Sequence, residues 1–327
     1  MNANSPILTP PPKLHQKWRD TLVNAAIKLA PDRLARFNNR RLGFPRQVYI
    51  GSGGGIGDDL LCSCVFRELK KRGDSKVIIR SGYRELFQGN PDVDLVIRKK
   101  VPLIAKLMIE GLPFLQLSYS VPAQEHILAT MCRVAGISGK VALRPYLFLS
   151  PKEIKAGRIF DRQMVIQSAG LGANVPMKNK EWFPERFQEV AVRLQSKAAL
   201  IQLGTPSDPP LNGALDLRGK TSLRQAGAIL ANSMVFVGQV GFLMHLARAV
   251  DCRSTIVYGG RETPAATGYI ANRNLVGVTP CSPCWEENRC DYDRECMRII
   301  SVPAVVDAAN EQMDSHGQPL ETELVSL

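Results

Sequence analysis

From Val48 to Lys71 the chain reads VYIGSGGGIGDDLLCSCVFRELKK, and few folds accept such a stretch. Val48, Tyr49 and Ile50 are apolar and β-prone, and they stop at five glycines within seven residues: Gly51, Gly53, Gly54, Gly55 and Gly57. Leu60, Leu61, Cys64, Val65 and Leu69 then recur at helical spacing, with Arg67, Glu68, Lys70, Lys71 and Arg72 towards the polar side. The pattern predicts strand, glycine turn and helix, the opening unit of an α/β domain. A helix N-terminus presents unpaired N–H groups and partial positive charge, which suits a phosphate or an anionic side chain such as Asp58 or Asp59. The same two aspartates also make ordinary helix caps.

Two familiar phosphate loops are absent. A dinucleotide fingerprint needs glycines at relative positions one, three and six, and from Gly51 or Gly53 the sixth place falls on Ile56 or Asp58. The next strand, Val77 to Ile79, leads to Arg80 where a ribose-binding acid would stand, and no Walker lysine follows the loop. A nicotinamide enzyme is disfavoured.

Beyond the glycines the chain alternates strand and helix. Strands are predicted at 76–80 and 94–97 around a short helix at 83–88, followed by a helix at 126–135. A polar, Pro-punctuated passage at 144–153 reads as an interdomain connection, after which a second series begins. Its strands fall at 164–167, 199–203, 234–237 and 254–258, and its helices at 184–194, 222–231 and 243–250. Two α/β domains in tandem leave a cleft, and ligands of such sheets bind at the carboxyl ends of strands. With 327 residues, 45% of them hydrophobic, the chain has material for roughly two ordinary cores.

The formal net charge of +12 is uneven, since the first 50 residues hold nine basic residues against two acids. Leu14, Trp18, Leu22, Ala25 and Leu29 lie three or four apart, so residues 13–30 form an amphipathic basic helix closed by Pro31. Such a helix either lies on an anionic membrane surface or packs against the next domain. Nucleic acid is not an expected partner, because no aromatic-rich basic motif accompanies the charge. No long apolar run and no signal-peptide order is found, so the protein is expected in the cytoplasm with reduced cysteines, peripheral to the inner face of the plasma membrane if the basic segment binds lipid.

Within the second series, Gly170 and Gly172 follow a strand, and Lys180 and Trp182 precede a helix opened by Pro184. A lysine ahead of a helix N-terminus either holds a diphosphate as a point charge or is simply solvated. Asp208, in a turn after a strand, offers a carboxylate to a ribose, and Gln239 to Gly241 lead into a helix carrying His245 among apolar neighbours. His245 therefore reads as a core histidine before a proton shuttle. Cys281, Cys284, Cys290 and Cys296 form C-x2-C-x5-C-x5-C, whose thiolates would suit zinc or iron; free thiols are the alternative. Cys62, Cys64, Cys132 and Cys252 lie in apolar contexts and read as core. None of the four histidines is tied to a nucleophile elbow, which argues against a cysteine hydrolase.

GIGDDLL with RELKKR downstream, KEWFPERF, GKTSL, VGQVGFLMHLA and the cysteine-rich tail, in that order from residue 47 to roughly 310, together resemble glycosyltransferase family 9, the heptosyltransferases of lipopolysaccharide assembly and their relatives. The resemblance implies a GT-B fold, two facing Rossmann-like α/β domains. It also implies inverting, metal-independent transfer of a sugar, heptose among the candidates, from a nucleoside-diphosphate donor resembling ADP-heptose to a lipopolysaccharide or surface-glycan acceptor. It divides the chain into a basic helical extension at 1–46, an acceptor-side domain at 47–150 and a donor-side domain at 151–327 that includes the cysteines of 281–297. By position it makes Asp58 the general base and Lys180 the group that steadies the leaving diphosphate, with Asp208 at the donor ribose. Gly55 and Gly57 line the first loop, and Gln239, Gly241 and His245 the donor-phosphate loop. No cofactor is implied for catalysis, and a four-cysteine motif in some relatives resembles an iron-binding finger. Where the family usually carries Asp-Ser-Gly-Pro, this chain has Val240, Gly241, Phe242 and Leu243, which leaves a noncatalytic binding or assembly subunit as the alternative.

Overall fold

A computed structural model describes residues 46–51, 55–73, 75–97 and 114–327. The predicted helix at 13–30, most of the basic segment and the loop glycines Gly53 and Gly54 lie outside the described residues.

The first sheet contains β1 (Arg46–Gly51), β2 (Ser75–Arg80), β3 (Leu95–Ile97) and β4 (Phe114–Gln116), all parallel in the order β3-β2-β1-β4. Helix α1 (Ile56–Lys71) carries the chain from β1 to β2, with Asp58 and Asp59 in its first turn and Lys70 and Lys71 in its last. That charge order matches the helix dipole. Leu60, Leu61, Cys62, Cys64, Val65 and Phe66 are all fully buried, an apolar face wider than one sheet needs. The surplus is covered by α2 (Ile127–Val134) and by a helix of the second half.

A short strand, β5 (Lys140–Ala142), and a connecting helix, α3 (Pro151–Gly157), lead into the second half. Its sheet contains β6 (Gln163–Ile166), β7 (Ala199–Gln202), β8 (Leu215–Asp216), β9 (Phe236–Gln239), β10 (Ser254–Gly259) and β11 (Asn272–Val276). All pairings are parallel and the order is β11-β10-β9-β6-β7-β8. Crossover helices are α4 (Pro184–Leu194), α5 (Leu223–Ala231), α6 (Phe242–Ala249) and the short α7 (Pro264–Thr267). After α8 (Glu295–Arg298), α9 (Val302–Asp314) packs on α4 and β10. The last strand, β12 (Leu324–Ser326), returns to pair antiparallel with β5.

In each sheet the strand order reverses beside the first strand of its series, between β1 and β4 and between β6 and β9. Loops leaving the carboxyl ends of such strands part in opposite directions and open a crevice. One difference from the predicted strands matters here. The ladder bonds Phe236 N to Arg253 O and Val165 N to Val235 O shift β9 two residues later than the pattern suggests. Gln239 is thereby the last residue of a buried strand and not a loop residue.

Candidate active site

Asp58 stands over the first crevice. One carboxylate oxygen accepts the Gly55 N–H at 3.2 Å, and the other accepts the hydroxyl of Tyr119, from the loop after β4, at 2.9 Å. Burial, with the Asp58 charge beside it, pushes the Tyr119 phenol up, so it remains a donor near neutral pH. Asp59, one residue on, turns inward and accepts the Ser81 hydroxyl in the core. The two adjacent carboxylates therefore differ in role, since only Asp58 is half-exposed at the cleft.

The N-terminal turn of α6 meets that of α1. A Cβ built on Gly57 would sit 3.9 Å from His245 Cδ2, so the two turns are in van der Waals reach. His245 Nδ1 lies 2.7 Å from the Tyr269 hydroxyl. Burial, and then the charge of Lys180, push the His245 imidazole down to about 3, so it is neutral near pH 7. Tyr269 is set by its neighbour: the His126 Nδ1 accepts the Leu128 N–H, leaving Nε2 to donate to Gly268 O at 2.8 Å.

Lys180, in a 3-10 turn at Lys178–Lys180, points its ammonium at Glu262, with Nζ to Oε1 at 2.6 Å. Glu262 also meets Arg261 at 3.1 Å and is only 3% exposed. Burial opposes its charge, but Lys180 and Arg261 more than offset that and hold the carboxyl below its ordinary range. Two cations around one buried anion leave the group net positive, a setting suited to an incoming diphosphate.

The remaining sequence candidates occupy the second crevice as a frame. Glu181 accepts the Gly170 N–H at 3.0 Å and the Gln239 amide at 2.6 Å, while Gln239 Oε1 accepts the Trp182 N–H at 3.2 Å. Burial, with Asp208 nearby, raises the Glu181 carboxyl. Asp208 is 2% exposed and spends both oxygens on backbone, taking Leu171 N–H at 2.8 Å and Thr205 N–H at 2.7 Å. In this arrangement Gln239 and Asp208 brace the loops after β6 and β7. Gly241 caps α6 in extended backbone, and a Cβ there would meet open space. Val240, in the place of the family's usual aspartate, is buried.

Cys281, Cys284, Cys290 and Cys296 are partly exposed free thiols in one neighbourhood: burial raises Cys296, and Cys290, Cys284 and Cys281 add to the rise. Among the described residues no group of three or more His, Cys, Asp or Glu side chains is placed to hold a metal ion. The segment carries left-handed backbone at Trp285, Asp293 and Arg294. Cys281 Sγ lies 3.3 Å from the Thr279 hydroxyl and Cys290 Sγ accepts the Arg294 N–H at 3.2 Å. Cys62, Cys64, Cys132 and Cys252 are in the core, as expected. Among the described residues no helix is long and apolar enough to cross a membrane.

The fold brings Asp58, Lys180 and His245, which sequence reasoning named, together with Tyr119, Glu181, Glu262 and Tyr269, which it did not name as site residues. Only Glu181 carried a signal, its place between Lys180 and Trp182.

Residues 149–292 match the family described as glycosyltransferase family 9 (heptosyltransferase). No curated protein matches the chain in sequence. Its fold is similar to that of Escherichia coli ADP-heptose lps heptosyltransferase II, at 14% identity over 82% of this chain and 99% of that one, TM-score 0.66. It is also similar to the iron-containing dodecameric glycosyltransferase TibC from enterotoxigenic E. coli, at 17% identity over 83% of this chain and 77% of that one, TM-score 0.67. TibC is known in complex with ADP-D-beta-D-heptose. A family 9 glycosyl transferase from Veillonella parvula aligns at 14% identity over 83% and 97% of the two chains, TM-score 0.62. At these identities the likeness is one of fold, the GT-B arrangement of two parallel α/β sheets.

Proposed function

Residues 149–292 match glycosyltransferase family 9, and on that premise we propose that the chain transfers a sugar with inversion from a nucleoside-diphosphate donor to a surface-glycan or lipopolysaccharide acceptor. The observation that carries the reading is the meeting of α1 and α6. It brings a half-exposed carboxylate on one sheet, Asp58, and a cationic group on the other, Lys180 beside His245, to one cleft.

Residues 47–150 would hold the acceptor and 151–327 the donor. The acceptor hydroxyl oxygen attacks the anomeric carbon, and its proton passes to Asp58. The carbon–oxygen bond to the diphosphate breaks on the opposite face of the ring. The electron pair goes to the leaving phosphate oxygen, whose growing charge Lys180 meets. Glu262 holds the ammonium until the phosphate competes for it, and neutral His245 adds no charge. The structural relatives that handle ADP-heptose make it the first donor to try.

Calorimetric titration with ADP-, GDP- and UDP-linked sugars, followed by release of nucleoside diphosphate in the presence of acceptor extracts, tests the reading. A donor that binds both the wild type and Asp58→Asn, but turns over only in the wild type, supports it. Binding without turnover in either protein favours a binding subunit, for which Val240 in the donor loop is the motive. For the expected lipid-side location, anionic vesicles should retain the full chain better than a charge-reversed Lys13→Glu/Lys17→Glu variant.

A further inference from the structure

The turn that carries Lys180 is only three residues long, with Lys180 N to Met177 O and Glu181 N to Lys178 O as its own backbone bonds. So short a turn cannot fix its own position. Its placement comes from the stretch between Cys281 and Met297. Asn179 donates its backbone N–H to Glu287 O at 3.0 Å, and its amide to Glu286 O at 3.1 Å and Arg289 O at 2.7 Å. Lys178 N–H donates to Asn288 Oδ1 at 2.9 Å, Arg294 to Glu181 O at 2.9 Å, and the Trp182 indole to Met297 O at 3.1 Å. The lysine's charged end is tied to the same stretch, because Arg261, which meets Glu262, donates to Glu286 O at 3.0 Å. One carbonyl, that of Glu286, thus registers Lys180 from both its backbone side and its ammonium side.

Asn179 is 4% exposed and its Oδ1 is buried without a partner. A buried amide that leaves one atom unsatisfied is costly, so the donating NH2 is what the position uses. Both amide contacts are to carbonyl oxygens, which only that NH2 can satisfy.

We propose that Asn179 is a positioning residue for Lys180, docking it on the cysteine-bearing stretch 281–297, so that nucleoside-diphosphate binding at Lys180 and the reactivity of Cys284 and Cys290 are coupled. The inference rests on Lys180 as a diphosphate ligand. Coupling must be reciprocal: a ligand that orders the turn slows thiol reaction, and thiol modification that loosens the stretch weakens the ligand. Cys290 is the sensitive point, because its sulfur accepts the N–H of Arg294, the residue that holds Glu181 O, and Cys284 is tied in by its own N–H, which donates to Gly260 O at 3.2 Å beside the Arg261 that meets Glu262.

The test uses the full chain with ADP, GDP and UDP as probes. Affinities are measured for the wild type, Asn179→Asp, Asn179→Ala and Lys180→Ala, and iodoacetamide labelling of each cysteine is followed by peptide mass spectrometry with and without nucleotide. Asn179→Asp keeps the shape and removes the donation. Both Asn179 variants should bind about tenfold more weakly, and nucleotide should slow labelling of Cys284 and Cys290 in the wild type but not in Lys180→Ala. The wild-type labelling result stands even if an Asn179 variant does not fold. Unchanged affinity in folded Asn179→Asp beside a weakened Lys180→Ala, or labelling indifferent to a bound nucleotide, overturns the coupling and leaves the transferase reading intact. Unchanged affinity in Lys180→Ala overturns the diphosphate role and the coupling with it.

Discussion

Asp58 and Asp59 sit side by side in the first turn of α1, and the helix pitch sends one to the cleft and the other to Ser81 in the core. Removing the charge of Asp58 takes away a proton acceptor without removing a donor contact, so Asp58→Asn should lower turnover by roughly 10² to 10⁴ at nearly unchanged donor affinity. Steady-state kinetics beside calorimetry would separate the two. Tyr119→Phe leaves Asp58 with the Gly55 N–H alone of these two donors, so the carboxylate loses its fixed orientation and kcat should fall at nearly unchanged donor affinity. His245 makes a prediction about stability. Its folded pKa of about 3 lies below the ordinary 6.5, so the unfolded chain binds the extra proton between those values. Stability is therefore full above pH 6.5 and falls as pH drops towards 3, by about 2 kcal/mol at pH 5 from this residue. Urea melts of wild type and His245→Gln at pH 7.5 and pH 5 should show a smaller pH effect in the variant. Of these residues Asp58, Lys180 and His245 were legible because Asp58 and His245 lie in the first turn of a helix and Lys180 just ahead of one, each within a local motif. Tyr119, Glu262 and Tyr269 were not, since nothing in their own neighbourhood announces partners brought in from distant strands.

Helix starts were the most legible elements, for a local reason. Ser150 with Glu153 and Ser222 with Gln225 form capping boxes, and Pro151 and Pro184 stand in the first turns of their helices. The two-residue shift of β9 was not legible, because strand limits follow the ladder to β6 and β10 and the apolar run alone does not contain that information. Element packing also hides in glycines. A Cβ on Gly157, at the end of α3, would come within 2.2 Å of the Ala228 backbone in α5, and backbone cannot swing aside. Gly157→Ala should destabilise the protein by about 1–3 kcal/mol, read as a lower urea midpoint at an unchanged slope. For the four cysteines, spacing names candidate ligands and brings them to one neighbourhood, but it is silent about the direction of each sulfur.

Across the whole molecule, the α/β class with two parallel sheets was readable from alternation, whereas the way the halves are joined was not. One buried cluster runs without a break from Ile50 and Leu60 to Phe236 and Leu246, so the halves share core as well as a cleft. Arg224 of α5 fastens this junction. Its guanidinium pairs with Glu153 at the start of α3, Nη2 to Oε2 at 2.7 Å, and holds Glu153 down to about 2. It also donates to Glu85 O at 3.0 Å and Gln88 O at 2.9 Å in the first half, and to Phe148 O at 2.8 Å in the connection. Three carbonyls and a carboxylate thus depend on one forked, nearly buried side chain, and lysine cannot reproduce the fork. Arg224→Met would fill the volume and strand those acceptors, a loss of about 3–5 kcal/mol; Arg224→Lys should recover only part of it. Because the acceptors lie on both halves, the loss should also appear as separate unfolding of the two. Hydrogen exchange in Arg224→Met should rise first at residues 84–88 and 146–153, while β6 and β7 keep their protection. If exchange instead rises evenly through both sheets, Arg224 stabilises the fold as a whole and does not act as the fastening between its halves.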